Sequence, residues 1–143
     1  MATDRTASVT WSGSLLEGSG RIDSAGSGAI GALDVTWTSR AEDPQGRTSP
    51  EELIAAAWAS CFSMALSHGL AAAGTPPTEL QTSVTVTFQP GEGITRGHIA
   101  VRGTVPGIDE EQFAEHAAGA KEGCPVSKAL AGIPEVTLDA ALA

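Results

Sequence analysis

Apolar and polar residues alternate through the first part of the chain. In TASVTWS the positions Ala7, Val9 and Trp11 are separated by polar ones, and GALDVTWTS repeats the pattern through Leu33, Val35 and Trp37. A period of two is the mark of a strand with one buried face. Between the two runs lies a glycine- and serine-rich stretch from Glu17 to Gly31, with room for a short strand around Arg21 to Ser24. A three-stranded meander is expected.

The pattern then changes. RAEDPQGRTSPEEL is a charged loop that ends in a helix start: Ser49 as N-cap, Pro50 in the first helical position and Glu52 closing a Ser-x-x-Glu capping box. Nothing breaks the helix from Pro50 to about Ala73, where Gly74 and Pro76–Pro77 stop it. At ~1.5 Å per residue this helix is roughly 36 Å long. It is apolar on nearly every face, which implies cover on all sides or a membrane. Leu53 to Ala73 is long enough to span a bilayer, but it is built of Ala, Ser, Gly and a His, without flanking basic anchors. A soluble central helix wrapped by sheet is the expectation.

Beyond it, LQTSVTVTFQ alternates cleanly, with Leu80, Thr82, Val84, Val86 and Phe88 on one side. PGEG turns this strand into a second one carrying Ile99, Val101 and Val105. IDEEQFAEHAAGAKEG reads as a helix opened by Asp109 and Gln112 and closed by Gly123. CPVSKALAG starts a short helix with Cys124 near the N-cap and Pro125 first, and EVTLDAAL ends the chain as a strand. The order βββ-α-ββ-αα-β predicts an α+β fold with largely antiparallel sheet around the long helix.

Composition narrows the functional classes. The chain has 143 residues, 41% of them hydrophobic and 17% charged, and shows no repeat or linker, which fits one domain over residues 1–143. Its formal net charge is −9, and its eight basic residues form no cluster, so nucleic acid and anionic membranes are not expected partners. MATDRTASVTWSGS lacks the basic and apolar regions of a secretory signal, so a cytoplasmic location is expected. There, structural disulfides are rare and cysteine pairs tend to be catalytic or redox-sensing.

The two cysteines have different settings. Cys124 begins a helix, where free N–H groups favour a thiolate. Cys61 lies about three turns inside the long helix, among Ala, Phe and Met. A buried cysteine is usually a packing residue, and one left in apolar surroundings is inert. A reactive Cys61 requires an imported cation: Arg40 and Arg47 precede the helix, and Arg21 sits in the glycine-rich stretch. Glu51, in the first turn of the helix, is able to hold such an arginine, besides favouring the helix N-terminus. His68, His98 and His116 show no metal-ligand spacing, and His68 is too far along the helix to act as base for Cys61. No metal or other cofactor is expected. Ser60, Ser63 and Ser67 read as packing residues.

TSPEELIAAAWASCFSMALSHGLAAAG followed by AKEGCPVSKALAG closely resembles the OsmC/Ohr family of thiol-dependent hydroperoxide reductases, and the element order is similar along essentially the whole chain. The resemblance implies an intertwined homodimer with active sites at the subunit interface. It implies Cys61 as the peroxidatic cysteine, Cys124 as the resolving cysteine, and Glu51 as the residue orienting a catalytic arginine. TWTSRAED follows the OsmC pattern and points to Arg40, while GSGRID leaves Arg21 as the alternative from the Ohr pattern. The implied activity is reduction of organic hydroperoxides, in oxidative or osmotic stress defence, through a Cys61 sulfenic acid and a Cys61–Cys124 disulfide. A lipoyl group or similar dithiol would be the reductant. Two other readings stay open at this point: a non-enzymatic binder of apolar ligands, and a thiol redox sensor on the same fold.

Overall fold

The computed structural model describes residues 1–143. The chain forms two compact units, Met1–Leu53 and Ile54–Ala143.

In the first unit, β1 (Ala7–Ser12), β2 (Ser19–Ala25) and β3 (Gly31–Val35) form an antiparallel sheet in that order. The expected meander is present, with one difference. Trp37 is not on the third strand, because Thr36 ends it and caps a one-turn helix, α1 (Trp37–Ala41). Thr36 Oγ1 accepts from the Ser39 N–H at 3.0 Å and Ser39 Oγ accepts from the Thr36 N–H at 2.9 Å, a closed capping box. Two residues that alternate well in a strand also make a good helix start, and here the reciprocal side-chain bonds win.

The long helix α2 (Pro50–Ala72) begins in the first unit and runs into the second. Ser49 caps it as expected, accepting from the Glu52 N–H at 3.1 Å. The Glu52 carboxylate does not close the box; it accepts from Thr48 Oγ1 at 2.7 Å. A second difference concerns cover. Trp58, Phe62, Leu66 and Leu70 are fully buried at a spacing of four, which makes one stripe along the helix. The opposite side, with Ala57, Ser60 and Met64, is exposed, and Met64 keeps 72% of its surface. The helix is long and apolar enough to cross a membrane, with a mean hydropathy of 1.4. Its buried stripe, however, is packed into a protein core.

In the second unit, β4 (Glu79–Gln89), β5 (Gly93–Thr104) and β6 (Glu135–Leu142) form a second sheet in that order. β4 and β5 are the expected antiparallel hairpin. β6 lies parallel to β5, since the chain returns through α3 (Glu110–Gly123) and α4 (Pro125–Ala129) before pairing. Asp109 and Gln112 close the capping box of α3, with bonds of 2.9 and 3.0 Å. The α2 stripe packs with Ile99, Val101, Phe113, Ala117 and Cys124 into one core.

Two glycines of β5 let this core close. A Cβ on Gly97 would lie 2.5 Å from the Trp58 ring, and one on Gly103 would lie 2.6 Å from Phe113. Ser63, read from the sequence as packing, also ties α2 to β4 by donating to Thr82 Oγ1 at 2.7 Å.

Candidate active site

The four residues singled out by sequence fall into two pairs. The first is Arg40 with Glu51. α1 presents Arg40 in its last turn, and Ser39 Oγ also donates to the Thr48 carbonyl at 2.9 Å, which fixes α1 against the start of α2. Arg40 Nε then reaches Glu51 Oε1 and Oε2 at 3.0 and 3.2 Å, and Nη2 reaches Oε1 at 2.8 Å. This forked geometry holds the guanidinium plane as well as its position. The Glu51 side chain is 7% exposed and that of Arg40 is 34% exposed. A largely covered carboxylate thus anchors a half-buried arginine.

The alternatives lie elsewhere. Arg21 is exposed on β2, opposite Thr10 and Asp34 in register. With Arg47 it lines a shallow cavity of about 440 Å³ that also contains Asp23 and Asp34. Glu51 hydrogen-bonds Arg40, not Arg21 or Arg47.

The second pair is Cys61 with Cys124. Cys61, one position before buried Phe62, is half-buried and packs against the core; Cys124 is completely buried between α3 and α4. Their sulfurs lie 2.7 Å apart, both without a disulfide. Residues 63 positions apart are joined because Cys124 closes α3, through its N–H to the Ala120 carbonyl, and opens α4 with Pro125 first.

The two thiols ionise unequally. Burial pushes the Cys61 thiol up; its hydrogen bond to Cys124 and the charge there raise it further, against a lowering by the Val126 N–H. Burial also opposes ionisation of Cys124, but its hydrogen bonds outweigh this. The Cys61 thiol, the Ser127 N–H, the Ser127 hydroxyl and the Val126 N–H together hold Cys124 below the ordinary thiol range. Cys124 makes no side-chain capping bond at the start of α4. The two sulfurs share one hydrogen bond, with Cys124 donating to Cys61 in this structure, so the pair loses its protons as a unit.

Ser127 was missing from the sequence reading. Its signal was its place three residues after Cys124 in a helix start, where side chains and N–H groups turn toward the N-cap. His68 is exposed and lines a cavity of about 470 Å³ with Glu115 and His116.

Comparison with known proteins finds relatives of both the sequence and the fold. The chain is 39% identical to Peroxiredoxin OsmC of Escherichia coli over 142 residues, 97% of this chain and 96% of that one. The crystal structure of the organic hydroperoxide resistance protein OhrB of Bacillus subtilis matches it with a TM-score of 0.65 at 28% identity, covering 96% of this chain and 98% of that one. An organic hydroperoxide resistance protein of Elizabethkingia anophelis shares the fold, with a TM-score of 0.69 at 23% identity over 100% of both chains. The family model for OsmC-like protein matches residues 42–139, which takes in Glu51, Cys61 and Cys124, and the chain belongs to that family.

Proposed function

We propose that this protein is a thiol-dependent peroxidase that reduces organic hydroperoxides to alcohols, with Cys61 as the attacking sulfur and Cys124 as the resolving one. The observation that carries the reading is the contact of the two sulfurs at 2.7 Å in a chain of the OsmC-like family. A relative named Peroxiredoxin OsmC and another named organic hydroperoxide resistance protein OhrB support the substrate class.

The chemistry follows from the thiols. The Cys61 thiolate attacks the peroxide; an S–O bond forms, the O–O bond breaks, and the departing alkoxide takes up a proton to leave as alcohol. Cys61 is now a sulfenic acid. The Cys124 thiolate attacks its sulfur; the S–S bond forms, the S–O bond breaks, and hydroxide leaves to become water. An external dithiol, a lipoyl group or similar, reduces the disulfide through a mixed disulfide and is itself oxidised. A lowered pKa suits Cys124 to the second step, because the resolving thiol must be ionised to attack.

Cys61 starts with the opposite handicap, since its thiol is raised. Arg40 is assigned the stabilisation of its thiolate, and Glu51 the orientation of Arg40. The working form is a homodimer, as the open side of α2 supports, and a reducing compartment such as the cytosol provides the dithiol.

The test is steady-state consumption of cumene hydroperoxide with dihydrolipoamide. Sustained turnover is expected from the wild type and none from Cys61→Ser. Cys124→Ser is expected to consume one equivalent and stall. Oxidation of the wild type that stops at one equivalent would instead favour a binder or a sensor.

A further inference from the structure

The buried indole of Trp58 is not used by the chemistry above, yet it is hydrogen-bonded next to it. Trp58 is 1% exposed, and its Nε1–H donates to Ser127 Oγ at 2.7 Å, across 69 positions of sequence. An indole N–H can only donate, so Ser127 Oγ must be the acceptor in this bond. A serine hydroxyl has one hydrogen. With its acceptor side taken by Trp58, that hydrogen is left for another partner, and Cys124, the N-cap of α4 three residues before Ser127, is the ionisable group beside it; Ser127 is among the groups that lower the Cys124 thiol. Trp58 cannot swing away, because the backbone of Gly97 is pressed against its six-membered ring.

We propose that Trp58 and Ser127 are positioning residues for the resolving step: the indole N–H orients the Ser127 hydroxyl so that it donates to Cys124 Sγ. This rests on the reading of Cys124 as the resolving cysteine. The pair keeps a donor on the thiolate that attacks the Cys61 sulfenic acid, and fixes the sulfur on the side facing Cys61. The atoms of that step are unchanged: S–S forms, S–O breaks and hydroxide leaves. Cys61 attack on peroxide precedes it and does not use the pair.

Two measurements test this. The first needs no peroxidase activity: thiolate absorbance at 240 nm against pH in the Cys61→Ser protein, where Cys124 is the sole thiol. Ser127→Ala is expected to move the titration midpoint to higher pH, and Ser127→Thr to restore it. Trp58→Phe keeps an aromatic ring but opens the serine acceptor to water from the adjoining cavity of about 310 Å³, so a smaller upward shift is expected. A midpoint unmoved by both Ser127→Ala and Trp58→Phe overturns the proposal.

The second is a single-turnover experiment on otherwise wild-type protein with one equivalent of peroxide. The rate of sulfenic acid decay into disulfide is expected to fall severalfold below the midpoint in Ser127→Ala, converging with wild type at high pH. The rate of sulfenic acid formation stays within twofold. If formation slows and decay does not, the pair acts elsewhere and the proposal fails. If the wild type forms no sulfenic acid, the peroxidase reading fails, while the titration still decides whether Trp58 and Ser127 act on Cys124.

Discussion

Cys61 and Cys124 illustrate how far a residue's chemistry depends on partners that its neighbours in sequence do not announce. The Cys61 thiol is raised by burial first and by Cys124 second. Cys124→Ala removes the second contribution and leaves the first. The pH profile of Cys61 alkylation by iodoacetamide is therefore expected to move to lower pH in Cys124→Ala; an unchanged profile would remove Cys124 from the account. The Arg40–Glu51 pair carries a separate prediction. Arg40→Met strips the partner from a carboxylate that is 7% exposed, whereas Glu51→Gln leaves a third-exposed guanidinium able to reach water. Arg40→Met is expected to cost about 1–3 kcal/mol in denaturant unfolding, and Glu51→Gln less. Both residues, and both cysteines, were legible in the sequence as motif positions. The opposite shifts of the two thiols were not, because they depend on Ser127, on Val126 and on a contact between sulfurs 63 positions apart.

At the scale of elements, most boundaries follow from local signals: alternation for β1 and β4, Ser49 and Pro50 for α2, Asp109 and Gln112 for α3. Two features did not. Trp37 continues the alternation of Leu33 and Val35, so periodicity alone extends the strand, and only the Thr36–Ser39 box turns it into α1. The parallel pairing of β6 is a property of the return path through α3 and α4, which no local pattern encodes. α1 matters to the site because it carries Arg40. Thr36→Ala should loosen it, costing about 1 kcal/mol and lowering peroxide turnover through a less fixed Arg40. Gly97 gives the counterpart in the second unit. An added methyl lands 2.5 Å from the Trp58 ring, so Gly97→Ala is expected to cost about 1–3 kcal/mol by overpacking. Differential scanning calorimetry of the two variants checks both values.

For the whole molecule, the open question posed by the sequence was what covers an all-round apolar helix. In one chain the cover is one-sided: Met64 keeps 72% of its surface. The first unit repeats the situation on its own sheet, where Val9, Trp11 and Leu33 are 58, 41 and 36% exposed. Alternation in β1 and β3 read correctly as strand with an apolar side, yet most of that side meets no partner within the unit. Exposed apolar residues grouped on regular elements mark surfaces of association rather than chance exposure, and a second copy is the partner the resemblance implied. We therefore expect the chain, 14.4 kDa alone, to sediment at twice that mass at micromolar concentration. Met64→Glu places a charge on the open face of α2, where burial in a dimer would leave it unpaired. It is expected to shift the population toward monomer and to make the unfolding temperature fall on dilution more steeply than in wild type. Peroxide turnover should decline in step with the dimer fraction across a dilution series, because the active sites are expected at the subunit interface. A wild type that sediments as monomer, or a Met64→Glu monomer with full turnover, would instead place the complete site within one chain.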